Sequence, residues 1–188
     1  MITLFIPLFI VSPLAGLLAI FVASLFDEKK TLLTGPQGAG KTTFLKFLSK
    51  ESIPDGPSGV PKTYKIGDAL FDEITDFSGA EDWLKNFDER IKDMDNIIFF
   101  FDVFDFLNDE KYRNDVYNRV YFINRCVSEK HKVVIVATHV DKVSGSYEAE
   151  VAKKFAGKPY NNLLNNIVYV DTTNKYSVEI IAKALKNE

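Results

Sequence analysis

The sequence predicts an α/β domain: a six-stranded, mainly parallel sheet with one antiparallel strand and helices on both faces, preceded by one transmembrane helix. Three observations predict it. Strand-like and helix-like segments alternate after residue 29. Two strand-like runs, 97–101 and 133–137, are wholly apolar, as strands buried on both faces are. Residues 2–26 carry no charge. We therefore expect an anchor at 1–28 and a single domain at 29–188.

The N-terminal run is long enough to cross a bilayer. A hydrocarbon core of about 30 Å needs about 20 apolar residues in a helix, and membrane helices tolerate proline at positions such as Pro7 and Pro13. A cleaved signal peptide fits less well, because no basic residue precedes the run and no clear cleavage site follows it. A helix packed in the core of a soluble domain also fits less well, because it would carry a stripe of polar residues toward solvent, and this run lacks one. Lys29 and Lys30 follow the run, so the positive-inside bias predicts a cytosolic domain.

The elements of the domain follow from period and punctuation. We predict strands near 30–34, 62–67, 69–76, 96–104, 132–138 and 167–171. We predict helices near 41–50, 81–93, 108–130, 146–156 and 176–187. The segments at 62–67 and 69–76 are too close together for a crossover helix, so they are expected to pair as an antiparallel hairpin.

A phosphate-binding motif lies between the first strand and the first helix. Residues 35–42 read G-P-Q-G-A-G-K-T, which matches G-x-x-x-x-G-K-[ST] in a strand–loop–helix context. Its glycines let backbone N–H groups turn inward around the α- and β-phosphates, at a helix N-terminus. Lys41 is expected to reach the β- and γ-phosphates and Thr42 to ligate Mg²⁺. The chain is therefore expected to bind a nucleotide.

Composition excludes several other kinds of function and site. The formal net charge is −3, which gives no electrostatic footprint for direct nucleic-acid binding. The single cysteine, Cys126, rules out an intramolecular disulfide and lies in an apolar helical pattern, which favours a core role over a nucleophilic one. The two histidines, His131 and His139, do not suggest a metal site.

Three later segments bear on which nucleotide is bound. Asp76 and Gly79 form a D-x-x-G at the end of a predicted strand, where the carboxylate can hold Mg²⁺ through water and the glycine N–H can meet a γ-phosphate. Residues 138–141, T-H-V-D, place Asp141 where a carboxylate would accept hydrogen bonds from guanine N1 and N2 and disfavour adenine. Residues 171–175, D-T-T-N-K, follow the last predicted strand, where a turn binding guanine O6 would lie.

In this order, the segments G-P-Q-G-A-G-K-T-T, D-F-S-G, T-H-V-D and D-T-T-N-K resemble a small Ras-like GTPase over nearly all of residues 30–188. The run at 98–105 is similar to the Arf-like branch, whose strand ends in D-S-x-D. The N-terminal span, the GPQ loop and the D-F-x-G segment resemble the β subunit of the signal-recognition-particle receptor; the T-H-x-D variant also occurs in Roc-type domains. The resemblance implies a P-loop GTPase fold, GTP or GDP with Mg²⁺, and a role in protein targeting.

Some positions depart from that pattern. His139 stands where a lysine usually covers the base; it can stack there or be an exposed loop histidine. Ala80 stands where hydrolysing members carry the glutamine that orients water, with Glu81 beside it. Gln37 can hinder or assist the transition state. The hydroxyl that would cover Mg²⁺ is Ser58 or Thr63.

The expected site follows from these segments. Catalytic contributions are expected from Gln37, Lys41, Thr42 and Gly79, and Mg²⁺ contacts from Thr42, Ser58 and Asp76. Nucleotide contacts are expected from Gly35, Gln37, Gly38, Ala39, Gly40, Lys41, Thr42, Thr43, Gly79, Thr138, His139, Asp141, Thr172, Thr173 and Asn174.

Two functions are compatible with this site. The chain is either a slow or partner-stimulated GTPase switch or docking subunit on a cytosolic membrane face, or a constitutively nucleotide-loaded platform. A Roc-like GTPase of another pathway and an ATPase in which Asp141 is incidental are further alternatives. The expected partners are the membrane and a soluble cytosolic protein, which would be a receptor α subunit at the endoplasmic reticulum if the receptor resemblance holds.

Overall fold

A computed structural model describes residues 29–49, 53, 61–67, 71–77, 87–165, 167–174 and 176–186. The predicted span 1–28 lies outside these residues. Within them, no helix combines the length and the hydropathy that crossing a bilayer requires.

The sheet has six strands in the order β2-β3-β1-β4-β5-β6. The strands are β1 Lys30–Thr34, β2 Lys62–Lys65, β3 Glu73–Asp76, β4 Asn96–Asp102, β5 Lys132–Thr138 and β6 Ile167–Tyr169. The β2–β3 pair is antiparallel, whereas β1 pairs with β3 and β4, and β5 with β4 and β6, in parallel. The predicted mainly parallel sheet with one antiparallel strand is confirmed.

Seven helices lie in the described parts of the chain. They are α1 Lys41–Leu48, α2 Phe87–Ile91, α3 Val103–Asn108, α4 Glu110–Cys126, α5 Tyr147–Phe155, α6 Asn161–Leu164 and α7 Tyr176–Lys186, with one 3-10 turn at Val140–Lys142.

Strand β4 divides the core in two. All seven of its residues are buried, and alternate side chains enter opposite clusters. Ile97, Phe99 and Phe101 pack on the face covered by α2, α4 and α5. Ile98 and Phe100 pack on the face covered by α1 and α7. Helices therefore cover both faces, as the wholly apolar run predicted.

Several predicted boundaries were wrong for local reasons. The strand predicted at 96–104 ends at Asp102, because the Asp102 carboxylate accepts hydrogen bonds from the N–H groups of Phe104 and Asp105 and starts α3. The helix predicted at 108–130 begins after Asp109, which closes α3 and caps α4, and ends at Cys126 because Val127 is extended. Strands β2 and β3 are shorter than predicted, because the N–H groups of Ile66 and Gly67 both donate to Asp72 O and so depart from the ladder pattern.

The helix predicted at 81–93 is described only from Phe87, and it ends at Ile91. The structure also adds α6 and the 3-10 turn, neither of which was predicted. Cys126 is half-buried at the end of α4, against the first core cluster, and burial raises the pKa of its thiol. That environment suits the packing role expected for it.

Candidate functional site

The phosphate-binding loop joins the end of β1 to the start of α1. Gly35, Gly38 and Gly40 have φ values of 140°, 81° and 85°, which side chains rarely adopt. A Cβ on Gly35 would lie 2.1 Å from Phe100 O in the neighbouring strand, and one on Gly40 would lie 3.0 Å from Thr172 Oγ1. Glycine is therefore required at Gly35 by backbone conformation and by the close approach of β4.

Lys41 folds back across this loop. Its ammonium donates to Gly35 O and to Pro36 O, each at 2.8 Å, and the residue is only 8% exposed. Burial lowers the pKa of Lys41 to about 8, and the negative charge of Asp76 partly opposes that shift. The lysine that the motif assigns to the phosphates therefore lies inside the loop.

The other loop residues differ in exposure. Gln37 and Gly38 are exposed at the tip, and Ala39 is buried beneath them. Thr42 and Thr43 are partly buried in the first turn of α1. Their position at the N-terminus of an eight-residue helix suits contact with an anion.

Asp76 ends β3 one strand away from the loop, paired in register with Leu33 of β1. It is buried, and its Oδ1 has no hydrogen-bond partner within the described residues. Burial raises the pKa of Asp76, whereas the positive charges of Lys41 and Lys62 oppose that rise. A buried carboxylate oxygen without a partner, close enough to Lys41 to interact with its charge, fits a divalent cation held from the loop side.

The residues expected to face the γ-phosphate are not all placed. Ser58, Gly79, Ala80 and Glu81 lie outside the described residues. Thr63, the alternative to Ser58, lies on β2, where its hydroxyl is 3.1 Å from Thr75 Oγ1.

The base corner, as we call it, consists of Asp102, residues 138–142 and residues 171–174. Thr138 connects it to the loop, since its Oγ1 lies 3.2 Å from Ala39 O and 3.0 Å from Phe101 O. Thr172 makes a second connection through its approach to Gly40. The two segments assigned to the base are thus both adjacent to the segment assigned to the phosphates.

Asp141 is exposed in the 3-10 turn that follows β5. His139, just before this turn, has a left-handed φ of 57°, and the N–H of Lys142 donates to its carbonyl oxygen. An exposed carboxylate on a short turn is open to a ligand.

Residues 171–174 form a turn that leads into α7. Asp171 Oδ1 accepts from the N–H and the hydroxyl of Thr173, and these hydrogen bonds hold the pKa of the Asp171 carboxyl below its usual range. Thr172 is buried, while Thr173 and Asn174 are exposed. Asn174 Oδ1 accepts from the N–H of Tyr176 at the start of the helix.

Sequence reasoning missed two members of this corner, Asp102 and Lys142. Asp102 Oδ2 lies 3.0 Å from His139 Nδ1 and 3.4 Å from Lys142 Nζ. The resemblance to D-S-x-D marked the end of this strand but gave Asp102 no role. The pairing of β4 with β5 places Asp102 opposite Thr138 and so next to His139, and this register was not readable from the sequence.

The fold and the loop define a P-loop NTPase, because a mixed α/β sheet carries the phosphate motif between its central strand and the first helix. The model of one family, nSTAND3 (Novel STAND NTPase 3), matches residues 20–188, and the chain belongs to that family.

The fold is shared with solved structures. The bacterial selenocysteine-specific elongation factor EF-Sec aligns with a TM-score of 0.63 at 18% sequence identity, over 85% of this chain and 28% of that one. This chain spans less than a third of that structure. A comparison with curated proteins finds no match. The likeness to the signal-recognition-particle receptor is not shown.

Proposed function

We propose that this chain binds guanine nucleotides with Mg²⁺ and acts as a slow GTPase switch or docking subunit. The single observation that supports it most is the adjacency of the base corner to the phosphate loop. Thr138 Oγ1 lies within hydrogen-bonding distance of the loop carbonyl of Ala39, and Gly40 lies against Thr172. A nucleotide whose phosphates lie in the loop would therefore meet Asp141 and the 171–174 turn at its base.

Each residue then has a defined task. Lys41 would exchange its two loop carbonyls for phosphate oxygens, and the backbone of residues 38–43 would donate N–H groups to them. Thr42 and Asp76 would hold Mg²⁺, which supplies charge neutralisation to the transferring phosphoryl group. Asp141 would accept from guanine N1 and N2. Ala80, in place of the water-orienting glutamine, predicts slow hydrolysis.

Nucleotide identity tests this proposal. The full chain should bind GTP and GDP far better than ATP and ADP in competition binding. Asp141→Asn should shift the preference toward xanthine nucleotides, because an amide can donate where the carboxylate only accepts. Asp93→Asn, in an exposed turn after α2, is the matched control and should leave the preference unchanged. Equal affinity for ATP and GTP in the wild type would contradict the guanine preference and favour the ATPase alternative.

Turnover tests the slow hydrolysis in this proposal, and comparing turnover with and without a partner lysate separates the switch from the constitutive platform. Single-turnover assays of the wild type should give a rate on the order of 10⁻⁴ s⁻¹, as for an unassisted small GTPase. If the site is otherwise competent, Ala80→Gln should be faster without a change in nucleotide affinity. Fast wild-type hydrolysis with a neutral Ala80→Gln would mean that Gln37 or Glu81 already positions the water.

The proposal includes a membrane anchor, which rests on the uncharged run 2–26 and the lysines that follow it. The full chain should resist carbonate extraction, and the domain should be open to protease only from the cytosolic side of sealed vesicles. A soluble cytosolic partner would dock on the nucleotide-loaded domain. Extraction of the full chain by carbonate would remove the anchor from the proposal and leave the nucleotide argument intact.

A further inference from the structure

Asp102 is a buried residue, 3% exposed, whose two carboxylate oxygens contact different parts of the protein. Its Oδ1 accepts from the N–H groups of Phe104, at 2.8 Å, and Asp105, at 3.2 Å, and so caps α3. Its Oδ2 faces the other way, toward His139 Nδ1 and Lys142 Nζ. A helix cap needs only one of these oxygens. The orientation of the second one calls for a separate explanation.

The hydrogen bonds around His139 determine where its proton lies. Thr138 Oγ1 has a single proton, and two carbonyl oxygens, Ala39 O and Phe101 O, are placed to receive it. With its proton on one of these carbonyls, the hydroxyl accepts from His139 Nδ1, 3.0 Å away. Asp102 Oδ2, beside a lysine ammonium, is an acceptor too. His139 Nδ1 consequently carries a proton shared between these two oxygens, and these hydrogen bonds fix the orientation of the ring.

The fixed ring lies two residues before Asp141. Its side chain is 21% exposed, so one part of it can meet a ligand. The left-handed backbone at His139 places it between the strand end and the turn that carries Asp141. A flat ring held in one orientation can stack on a nucleobase with little further loss of rotamer freedom. Without these two acceptors the ring would be free to rotate, and binding of the base would have to order it at a cost in affinity.

We propose that Asp102 is a positioning residue for nucleobase binding: it holds the His139 ring as a preorganised stacking surface beside Asp141. The proposal rests on the proposed nucleotide site and adds to it the residue that orients the base platform. Asp102 would not touch the nucleotide. Its effect on affinity would pass through His139 alone, and the helix cap would be a separate, purely structural function.

A double-mutant cycle tests this on the full chain, with GDP and inorganic pyrophosphate as probes. Asp102→Asn keeps an oxygen for the α3 cap but replaces the Oδ2 acceptor with a donor. His139→Asn keeps a donor toward Asp102 and tolerates the left-handed backbone, but removes the ring. Asp109→Asn is the matched control, because Asp109 caps α4 through the same pair of hydrogen bonds and has no histidine partner.

We expect Asp102→Asn and His139→Asn each to weaken GDP binding about tenfold in calorimetry, as loss of one stacking surface does. Pyrophosphate affinity should stay at the wild-type value in both, and Asp109→Asn should bind both probes normally. The double variant should be no weaker toward GDP than His139→Asn. Multiplying losses in the double variant would overturn the proposal. A parallel loss of pyrophosphate affinity would do the same, because it would indicate general damage to the fold.

The proposed guanine preference fails separately from this inference. If wild type binds GDP and ADP equally, the guanine assignment is wrong, and the same cycle measured with ADP still reports the coupling, since stacking tolerates any base. If Asp102→Asn binds GDP as wild type does, while the wild type still prefers GDP over ADP, the guanine site stands and Asp102 is only a helix cap.

Discussion

The phosphate loop and the base corner lie side by side, yet they are built differently. The loop is one continuous segment, 35–42, whose shape is set by backbone conformation at three glycines. The corner gathers side chains from the ends of β4, β5 and β6, which are far apart in sequence. A backbone device leaves its full pattern in the sequence, whereas a corner assembled from strand ends leaves scattered single residues. The loop is found as one motif, whereas the corner is found only in part: its segments 138–141 and 171–174 have motifs, but Asp102 joins them only through the pairing of β4 with β5.

The largest expected effect is a loss of folding stability on substitution of a loop glycine, which would test how far backbone conformation sets the shape of the loop. Gly35→Ala would place a Cβ 2.1 Å from Phe100 O, in a backbone conformation that side chains avoid, and should lower the free energy of unfolding by about 4 kcal/mol or more. Gly38→Ala is the matched control, because its φ is also positive but no atom of the described residues lies within 4 Å of the added Cβ. It should cost about 1 kcal/mol. Equal losses in chemical denaturation would mean that β4 does not constrain the loop.

The second effect concerns the buried charge of Lys41 in nucleotide-free protein. Its pKa is about 8 in the fold against 10.5 unfolded, so the unfolded chain binds more protons between these values and stability rises with pH. The free-energy cost of burying the charged Lys41 ammonium is full below pH 8 and falls to zero toward pH 10.5. Relative to Lys41→Met, the wild type should gain about 3 kcal/mol between pH 7 and 10.5 in urea titrations.

A matched substitution at the exposed Lys111 corrects for the loss of one lysine charge. If the wild type and Lys41→Met showed parallel stability curves over this range, Lys41 would be solvated in the fold. The loop would then be open to water, contrary to the 2.8 Å contacts with its carbonyl oxygens.

The smallest effect lies at the first turn of α1. Thr42→Val keeps the shape of the side chain but removes the hydroxyl expected to ligate Mg²⁺. GDP affinity in the presence of Mg²⁺ should fall about tenfold, or ~1.4 kcal/mol. In EDTA, the variant and the wild type should bind GDP equally in calorimetry. A loss of the same size in EDTA would assign the hydroxyl to the phosphates instead of the metal.

An element of the fold could be predicted from the sequence where neighbouring residues carry a pattern for it. The six strands, the antiparallel hairpin and the loop all followed from period, spacing and glycine. The break at Asp109 was missed, although an aspartate before a helical run is a cap signal. The short helix Asn161–Leu164 has too few residues for a periodic pattern.

The candidate site was predictable to the same degree. Thr138 contacts the loop at Ala39 and Thr172 approaches it at Gly40, while the nucleotide contacts assigned to them stay predictions. The role of Asp102 was not predictable, because its partners His139 and Lys142 are about 40 positions away and its contact with them depends on the pairing of β4 with β5. A carboxylate that also caps a helix gives no sequence sign of a second partner.

The continuous apolar strand β4 has a consequence for synthesis of the chain. Ile97 to Phe101 are five consecutive buried apolar residues with two strand edges to cover, one by β1, already made, and one by β5, about 30 residues later. Until β5 leaves the ribosome, this hydrophobic segment exposes an open edge of the kind that seeds aggregates. Asp95 and Asp102 lie on either side of the run, where flanking charges are expected to oppose such aggregation. Expression yield should therefore depend on these two aspartates more than their contribution to the finished fold suggests.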